Sequence, residues 1–577
     1  MLSGSPEDLV VLAGPDDPVR EVVDRMAAGT SSLFGVAVVV DGERRVLGLF
    51  NNGDLLRLVA AGGTLDQPVS AVMTRDPIVA SVEADEEEVL QSTRLETWRR
   101  TGGAKELVTH VPIVDADGRL VDVVDVKRLL VRSPRHGQHV EVHGLGYVGL
   151  TLAVALASRG HRVHGIDTDA ALIAQLVEGR PHFHEPRLAE MLVQALGAGT
   201  LTLSTTPPET ARRILIVSVG TPVRGDGSID DTALRSSVGA IGERLRRGAI
   251  VLLRSTVPVG TTRELVVPLL EERSGLIAGR DFHVAFTPER TAEGVAMQEL
   301  TSLPQIVGGL TDVCANLAGS FWLTLTDSVV HVEGLEAAEI VKLVNNSFRD
   351  LSFAFANGVA LLADRFNLDA RRLIGAANEG YPRNPVPRPS PGVGGYCLTK
   401  DPWLYGSVDP DAGHARLSAQ GRAINADAAR YPVALVERWA ARVGRPLAGL
   451  KVLIVGMAFK GWPATSDVRN STALIVADGL RARGCELRVH DAVVSDGALR
   501  DLGLEPVDLA AGPRDTDVVL IMNDHPDNVA PGLLGALAGR PTLLFDGWGM
   551  LDRREVEADP STVYATLGYL TPERDRT

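Results

Sequence analysis

Gly144-Leu145-Gly146-Tyr147-Val148-Gly149 is the stretch on which the reading of this chain turns. It follows a short strand pattern, Val140 to His143, and opens an apolar helix pattern, Leu150 to Ser158; Asp167 closes the next strand, 18 residues past Gly149. Each residue then has a physical task. Gly144 permits a tight turn, Gly146 lets backbone N–H groups approach a pyrophosphate, Gly149 allows close helix–strand packing, and the helix N-terminus supplies partial positive charge. Asp167 is placed to accept hydrogen bonds from adenosine ribose hydroxyls and to repel a 2′-phosphate, which predicts NAD over NADP. A glycine fingerprint alone also fits a strand–helix turn that binds nothing; strand, helix and acid in register favour the dinucleotide.

Outward from this turn, strands alternate with helices at Val140 to His143, Arg162 to Ile166, Ile214 to Val219, Ala249 to Arg254 and His283 to Phe286. Such alternation predicts a parallel sheet covered by helices on both faces. Residues 332 to 380 lack strand signals and read as long helices, with Ala337, Ile340, Val341 and Val344 spaced along one helix face. A Pro- and Gly-rich stretch, Tyr381 to Gly395, interrupts them. Alternation returns at Lys451 to Val455, Glu486 to His490, Val518 to Met522 and Thr542 to Phe545. The predicted class is α/β, with two doubly wound domains joined by a helical one.

Upstream, Ser133 to Gln138 is polar and breaker-rich and reads as a linker. Before it, Val36 to Leu49 and Thr109 to Val124 each run apolar strand, acidic turn, apolar strand, a hairpin signal repeated twice. With Val72-Met73-Thr74-Arg75-Asp76-Pro77 opening the second half, this α+β segment resembles a cystathionine-β-synthase-type (CBS) domain pair. In it, Gly48-Leu49-Phe50-Asn51-Asn52-Gly53-Asp54 is similar to the ribose-binding segment of such pairs, which implies a regulatory adenine nucleotide at Asp54. The second copy, Asp122 to Arg128, lacks the glycine and the terminal acid, so one site at most is expected. A purely structural or oligomerising role is the alternative.

Composition narrows the partners. The 577 residues suffice for several cores, and 58 basic against 73 acidic side chains leave a net charge of −15, which repels a phosphate backbone and argues against nucleic acid. Three scattered cysteines, Cys314, Cys397 and Cys485, are too few for a disulfide framework or a four-ligand zinc site, so no metal and a reducing cytoplasm are expected. Met1 to Val19 does not read as a secretory signal, and no apolar run reaches the roughly 18 residues of a membrane span.

Gly144 to Leu150 also resembles the opening motif of the UDP-glucose/GDP-mannose dehydrogenase family. Further matches follow in order at Glu185-Pro186, Gly220-Thr221-Pro222, Ser255 to Thr262, Pro288-Glu289-Arg290, Lys342 to Asn346, Gly394-Gly395-Tyr396-Cys397 and Gly456 to Lys460. The resemblance implies oxidation of the 6-hydroxymethyl of a nucleotide-linked sugar to a carboxylate, with two NAD used per turnover, for polysaccharide synthesis. It also implies two Rossmann-like domains. The expected organisation is 1–134 CBS pair, 138–331 NAD-binding domain, 332–430 helical central domain with the cysteine loop, and 448–577 nucleotide-sugar-binding domain. Relatives pair through the central helices, so Val341 to Leu362 is the expected contact of a homodimer or higher oligomer.

A four-electron oxidation makes a chemical demand, because a free aldehyde would hydrate or escape between hydride transfers. A thiol holds it as a thiohemiacetal, which a second oxidation turns into a thioester that water hydrolyses. Cys397 follows a glycine turn that presents it at a helix start, where a lowered thiol pKa is expected; Cys314 and Cys485 read as apolar fillers. Positions four apart share a helix face, which groups Lys342 with Asn346, Glu289 with Glu293, and Cys397 with Asp401. By the resemblance, Lys342 and Asn346 stabilise oxyanions, Asp401 helps activate the hydrolytic water, and Glu289, Glu293 and Thr256 order water and relay protons. Gly144, Gly146, Tyr147, Val148, Gly149, Asp167, Thr221, Ser255, Thr256 and Lys400 are the expected cofactor set. Glu289, Arg290, Lys342 and Gly394 are expected at the substrate.

For the diphosphate the sequence offers Lys460, Arg469 and the Arg383 to Arg388 loop, cations suited to phosphate oxygens. The alternative for Arg383 and Arg388 is a solvated loop. Three departures from the family pattern stand out: two extra residues between Lys460 and Asp467, Trp548 where many relatives carry an arginine, and Tyr396 and Thr399 beside Cys397. The Pro391 to Gly395 and Asp401-Pro402-Trp403 segments lean toward UDP-N-acetylhexosamines, and Lys400 toward UDP-glucose or GDP-mannose. Rival readings are a nucleotide sensor that has kept the scaffold without turnover, and an oxidoreductase that stops after one step.

Overall fold

The computed structural model describes residues 10–27, 35–84, 89, 92–93, 96–97, 100, 108, 110–126, 137–224, 229–383, 385–509, 515–529, 533–537, 539 and 541–572. The chain divides into two compact units, Met1–Gly137 and Gln138–Thr577. In the first, β1 (Val11–Ala13), β2 (Val36–Val40), β3 (Val46–Asn51) and β4 (Thr74–Arg75) form one sheet, and β5 (Ala80–Ser81), β6 (His110–Val114) and β7 (Leu120–Asp125) another. The repeat is visible in the turns. Asp41 Oδ1 accepts from the Glu43 and Arg45 amides, and Asp115 Oδ1 from those of Asp117 and Arg119, the short-acid turn that closes both hairpins. The turns meet, Leu120 N–H donating to Arg44 O at 2.9 Å, over a shared core of Val10, Val36, Val38, Leu120 and Val123. Lys127 and Arg128 of the second copy, and 133–136 of the linker, lie outside the described residues.

The second unit opens with β8 (His139–His143), α1 (Tyr147–Ser158), β9 (Arg162–Ile166), β10 (Leu201–Ser204), β11 (Ile214–Val217), β12 (Ile250–Leu253), β13 (His283–Phe286), β14 (Gln305–Gly309) and β15 (Val329–His331). Sheet order is β10-β9-β8-β11-β12-β13-β14-β15. The five strands read from the sequence run parallel, as expected. β14 runs antiparallel to β13, however; its Gly308 and Gly309 weaken the strand signal, and the expectation of a wholly parallel sheet is corrected there. Every residue from Gly149 to Ala157 of α1 is buried, so that helix shows no polar face.

Four helices follow: α2 (Gly334–Asp364), α3 (Ala370–Asn378), α4 (Tyr396–Gly406) and α5 (Gly413–Arg442). α5 passes unbroken through residue 430, where the central domain was expected to end, because its Leu435, Val436 and Trp439 join the core of the last domain. A buried polar network locks α4 in place. Asn425 of α5 donates to Asp350 of α2 at 2.8 Å, Asn357 donates to Asn425 at 2.9 Å, and the Ser390 amide donates to Asn357 at 2.9 Å. Pro402 has no N–H for the Leu398 carbonyl one turn back. Arg422 of α5 serves that carbonyl instead at 3.3 Å, while pairing with Asp350 at 2.7 Å.

The chain ends in β16 (Lys451–Val455), β17 (Glu486–His490), β18 (Val518–Ile521), β19 (Thr542–Asp546), β20 (Thr562–Thr566) and β21 (Tyr569–Leu570), ordered β17-β16-β18-β19-β20-β21. β20 and β21 form an antiparallel hairpin at the edge of an otherwise parallel sheet.

Candidate active site

Gly144 takes φ 88°, in the left-handed region, and a Cβ on Gly149 would overlap Gly144 O and Ser218 Oγ; both positions demand glycine. Gly146 caps α1, and a Cβ there meets no protein atom within 4 Å, because it faces a cleft of about 810 Å3. Asp167 Oδ2 accepts from the Leu145 amide at 2.8 Å and Oδ1 from the Asp169 amide at 3.1 Å. Each oxygen keeps a further acceptor position for a ribose hydroxyl. These residues fit NAD. Tyr147, Val148, Thr221, Ser255 and Thr256 line the same cleft. The Thr221 and Ser255 hydroxyls donate to Thr256 O and Val219 O at 2.6 and 2.7 Å, bracing the loops after β11 and β12.

Glu289, Glu293, Lys342, Tyr396, Cys397, Lys400 and Arg469 line that cleft too. Cys397 is the second residue of α4, entered through Gly395 at φ 83°. Lys342 of α2 is buried, with its Nζ 3.9 Å from Glu289 Oε2. Asn346, one turn on, donates to Asp401 Oδ2 at 2.6 Å, and Lys400 Nζ sits 2.9 Å from the other oxygen. Asp401 is fully buried and, like Asn346, does not line the cleft; Lys400, paired with it, does. Glu289 and Glu293 lie on an irregular segment after β13, not on the helix that their spacing suggested; both still face the cleft.

Electrostatics correct one expectation. The Cys397 side chain is exposed to the cleft, yet desolvation by the protein atoms around its sulfur pushes the thiol up to about 11, with Lys342 and Lys400 opposing and Asp401 and Glu289 reinforcing. The helix start is present, yet desolvation outweighs it, so the resting sulfur holds its proton. For Lys342, burial favours the neutral amine, but Glu289, Cys397 and Asp401 more than offset it and hold the amine above its ordinary range. Glu293 is pushed up to about 7, first by burial and then by Asp467, against Arg469, Thr465 and Lys460.

The expected diphosphate cations divide. Arg469 lines the cleft, forked onto Asp467 at 2.7 and 3.0 Å and stacked 5.0 Å above the Tyr396 ring. Lys460 is turned to Glu293 O at 2.7 Å. Arg290 donates to Pro304 O, and Arg383 and Arg388 are exposed; none of the three lines this cleft. Asn384 lies outside the described residues. Gly394 serves packing: a Cβ there would stand 2.8 Å from Asn470 O. The Trp548 indole N–H donates to Met522 O at 2.8 Å.

Two features escaped sequence reasoning. Tyr147 OH donates to Glu185 at 2.6 Å, and Glu185 also accepts from the Gly294 amide at 2.7 Å, tying the cofactor turn to the Glu293 loop. Arg254 is a buried cation that lines the cleft; a charge ending the apolar run Ile250-Val251-Leu252-Leu253 was the available signal. Cys314 and Cys485 are buried, as fillers should be.

In the first unit Asp54 is 4% exposed. Its carboxylate accepts from the Asn51 amide at 2.9 Å, from Thr74 at 3.2 Å and from Arg57, and Asn51 in turn caps the helix Asn52–Ala60.

Comparison with known proteins follows the same division. Models of the UDP-glucose/GDP-mannose dehydrogenase family match in order: the NAD binding domain over residues 138–325, the central domain over 336–427 and the UDP binding domain over 453–553. The CBS domain model matches 8–61 and 69–134. The UDP-N-acetyl-D-mannosamine dehydrogenase of Pyrococcus horikoshii is 34% identical over 390 residues, 67% of this chain and 90% of that protein. A solved structure of that enzyme from the same organism superposes with TM-score 0.68 at 30% identity, covering 74% of this chain and 99% of its own. A UDP-glucose dehydrogenase from Pyrobaculum islandicum gives 0.65 at 30% identity, covering 75% and 98%.

Proposed function

The chain belongs to the UDP-glucose/GDP-mannose dehydrogenase family, and from that premise we propose that this NAD-dependent nucleotide-sugar dehydrogenase oxidises the 6-hydroxymethyl of a UDP-N-acetylhexosamine to the uronic acid. UDP-N-acetyl-D-mannosamine is the first candidate, because the dehydrogenase of that sugar is the 34% identical relative; UDP-glucose is the second. The observation that carries the reading is the meeting of Cys397 and Lys342 with the dinucleotide turn in one cleft. A pure nucleotide sensor has no use for a thiol beside a buried ammonium.

Bound NAD accepts a hydride from C6 in each of two oxidations. The chain's own residues do the rest. The Lys342 ammonium stabilises the developing alkoxide and then the oxyanion of the adduct. Cys397 Sγ bonds to the aldehyde carbon and its proton leaves as the bond forms, with Glu289 and Glu293, both lining the cleft, relaying protons to solvent. Loss of the second hydride converts the thiohemiacetal to a thioester. Water then attacks, releasing the carboxylate and restoring the thiol. One alcohol, two NAD and one water give one carboxylate, two NADH and three protons. The product is the donor class consumed in surface polysaccharide synthesis, and a free catalytic thiol suits a reducing cytoplasm. Among the described residues no helix is long and apolar enough to cross a membrane.

Absorbance of NADH, followed with a panel of UDP and GDP sugars, tests this. Two NADH per sugar are expected, with uronate formation abolished in Cys397→Ala. One NADH per sugar, or none across the panel, overturns it.

Val344, Phe348, Phe355 and Leu362 form an exposed apolar stripe on α2, 44 to 72% accessible, which we assign to a second copy of the chain. Light scattering should give a dimer or larger, and Phe355→Arg a monomer. For the first unit the geometry favours a structural role, because the Asp54 carboxylate is engaged by Asn51, Arg57 and Thr74. Equal turnover with and without AMP or ATP is expected in wild type and Asp54→Ala; activation lost only in the variant would instead establish a nucleotide site.

A further inference from the structure

Arg254 directly follows β12 with 3% of its surface exposed; no carboxylate among the described residues makes an ion pair with it, and Glu289 acts on it only through space. Its Nε has no hydrogen-bond partner, and its guanidinium stacks 4.7 Å from the Trp322 ring centre. A buried cation with no carboxylate in direct contact is costly, and its hydrogen bonds indicate what it is for. Nη1 donates to Thr287 O at 3.2 Å and to Gln305 Oε1 at 2.9 Å. Gln305, buried on β14, uses its own Nε2 to hold Pro288 O at 3.0 Å and Ile306 O at 2.9 Å. The two side chains thus grip the consecutive carbonyls of Thr287 and Pro288, immediately before Glu289.

Beyond the Thr287 amide, which donates to Leu253 O at 2.9 Å, the segment belongs to no helix or strand. Glu289 must nonetheless hold its carboxylate 3.9 Å from the Lys342 ammonium, in the cleft that also contains Cys397. We propose that Arg254 and Gln305 are positioning residues that set the Thr287–Glu289 backbone so that Glu289 faces Lys342, an inference that rests on the dehydrogenase reading above. Gln305 does not line the cleft; Arg254 does, but its Nη1 hydrogen bonds go to Thr287 O and to Gln305. β14 thereby gains a reason to run antiparallel: that direction brings Gln305, at its first position, against the segment leaving β13. Burial lowers the Arg254 pKa to about 10, still well above neutrality, so the grip is charge-assisted.

Steady-state kinetics and a double-mutant cycle on the full chain test this. Arg254→Met should lower kcat about 100-fold, the scale of a misplaced catalytic group, with KM for NAD and for the sugar little changed. Gln305→Leu should act in the same direction, and serves alone if Arg254→Met does not fold. Adding Arg254→Met or Gln305→Leu to Glu289→Gln should cost little more than Glu289→Gln alone, because both act through one carboxylate. Multiplicative losses, or a kcat that falls only in step with thermal stability, overturn the proposal and leave Arg254 as core glue. Should the wild type reduce no NAD at all, the function reading fails separately. The pH midpoint of Cys397 alkylation then decides. Glu289 raises the thiol pKa while Lys342 and Lys400 lower it, so Arg254→Met should move the midpoint downward as Glu289→Gln does; an unmoved midpoint in Arg254→Met and Gln305→Leu overturns the assignment.

Discussion

Each parallel sheet of the second unit leaves its first strand through a left-handed glycine, Gly144 after β8 at φ 88° and Gly456 after β16 at φ 90°. Each also sets an aspartate after the neighbouring strand, Asp167 beyond β9 and Asp491 beyond β17. The likeness ends there. After Gly144 the chain turns directly into α1 and Gly146 faces open space. After Gly456 the next helix waits until Thr472, and Asn523, 1% exposed, fills the crevice, donating to Ala458 O at 3.3 Å and accepting from Asn528 at 2.6 Å. Asp491 is used up as well, accepting from the Met457, Ala458, Val493 and Val494 amides at 2.7 to 3.0 Å. Topology offers a crevice at the point where strand order reverses; whether a dinucleotide enters depends on the residues after the turn. In the second sheet Asn523 and Asp491 engage the backbone of the turn, and Lys460 and Arg469 reach Glu293 of the other domain.

The sharpest way to break this comparison is Asp491→Ala. Four amides, three of them buried, lose their acceptor, at about 1 kcal/mol each, so a destabilisation of about 4 kcal/mol is expected. Thermal unfolding should show it, while KM for NAD at permissive temperature should not move. A stable variant with weakened NAD binding would mean that the second crevice is not closed after all.

Gly146→Leu should do the reverse. Since a Cβ there meets no protein atom, the fold should tolerate it, while the side chain blocks the backbone approach that a pyrophosphate needs. Losing charge-assisted hydrogen bonds worth about 2 to 3 kcal/mol corresponds to roughly 30- to 150-fold in NAD affinity. Titration calorimetry and melting curves measured together would expose an opposite pattern.

Local features of the site were legible in the sequence. The glycine turn and Asp167 are fixed by neighbours along the chain, and Cys397 was marked by the glycines that precede it. Depth was not legible. Spacing placed Asp401 beside Cys397 but could not tell that Lys400 and Asn346 enclose it, and the helix-start argument for a lowered thiol pKa ignored the protein atoms that desolvate the sulfur. Spacing of four also mistook the Glu289 to Glu293 loop for a helix, because those positions are held by partners distant in sequence: Arg254, Gln305, Glu185 and Thr465. Such contacts leave no periodic trace.

Glu293 is where the two halves of the comparison touch, and it yields the smallest expected effect. Its Oε2 accepts from Thr465 at 3.1 Å and its carboxylate lies 3.7 Å from Arg469, both from the final domain, with Asp467 adding like charge. Thr465 and Ser466 come from the stretch with two extra residues, and Ser466 also accepts from the His184 amide at 3.1 Å, so that segment fastens one domain to the other. The native carboxyl titrates near 7 against an ordinary value of 4.5. Between those values the folded chain binds more protons at Glu293 than the unfolded chain does, so this group lowers stability as pH rises from about 4.5 to 7 and exerts its full cost above 7. Glu293→Gln should remove that dependence. Relative to wild type, the variant should gain on the order of 1 to 2 kcal/mol between pH 5 and 8, a figure reduced for the water that still reaches an 18% exposed side chain. Melting temperatures of both proteins across that range would check it: parallel curves would mean that Glu293 is ionised at neutrality, and that the junction between the two domains carries no proton to relay.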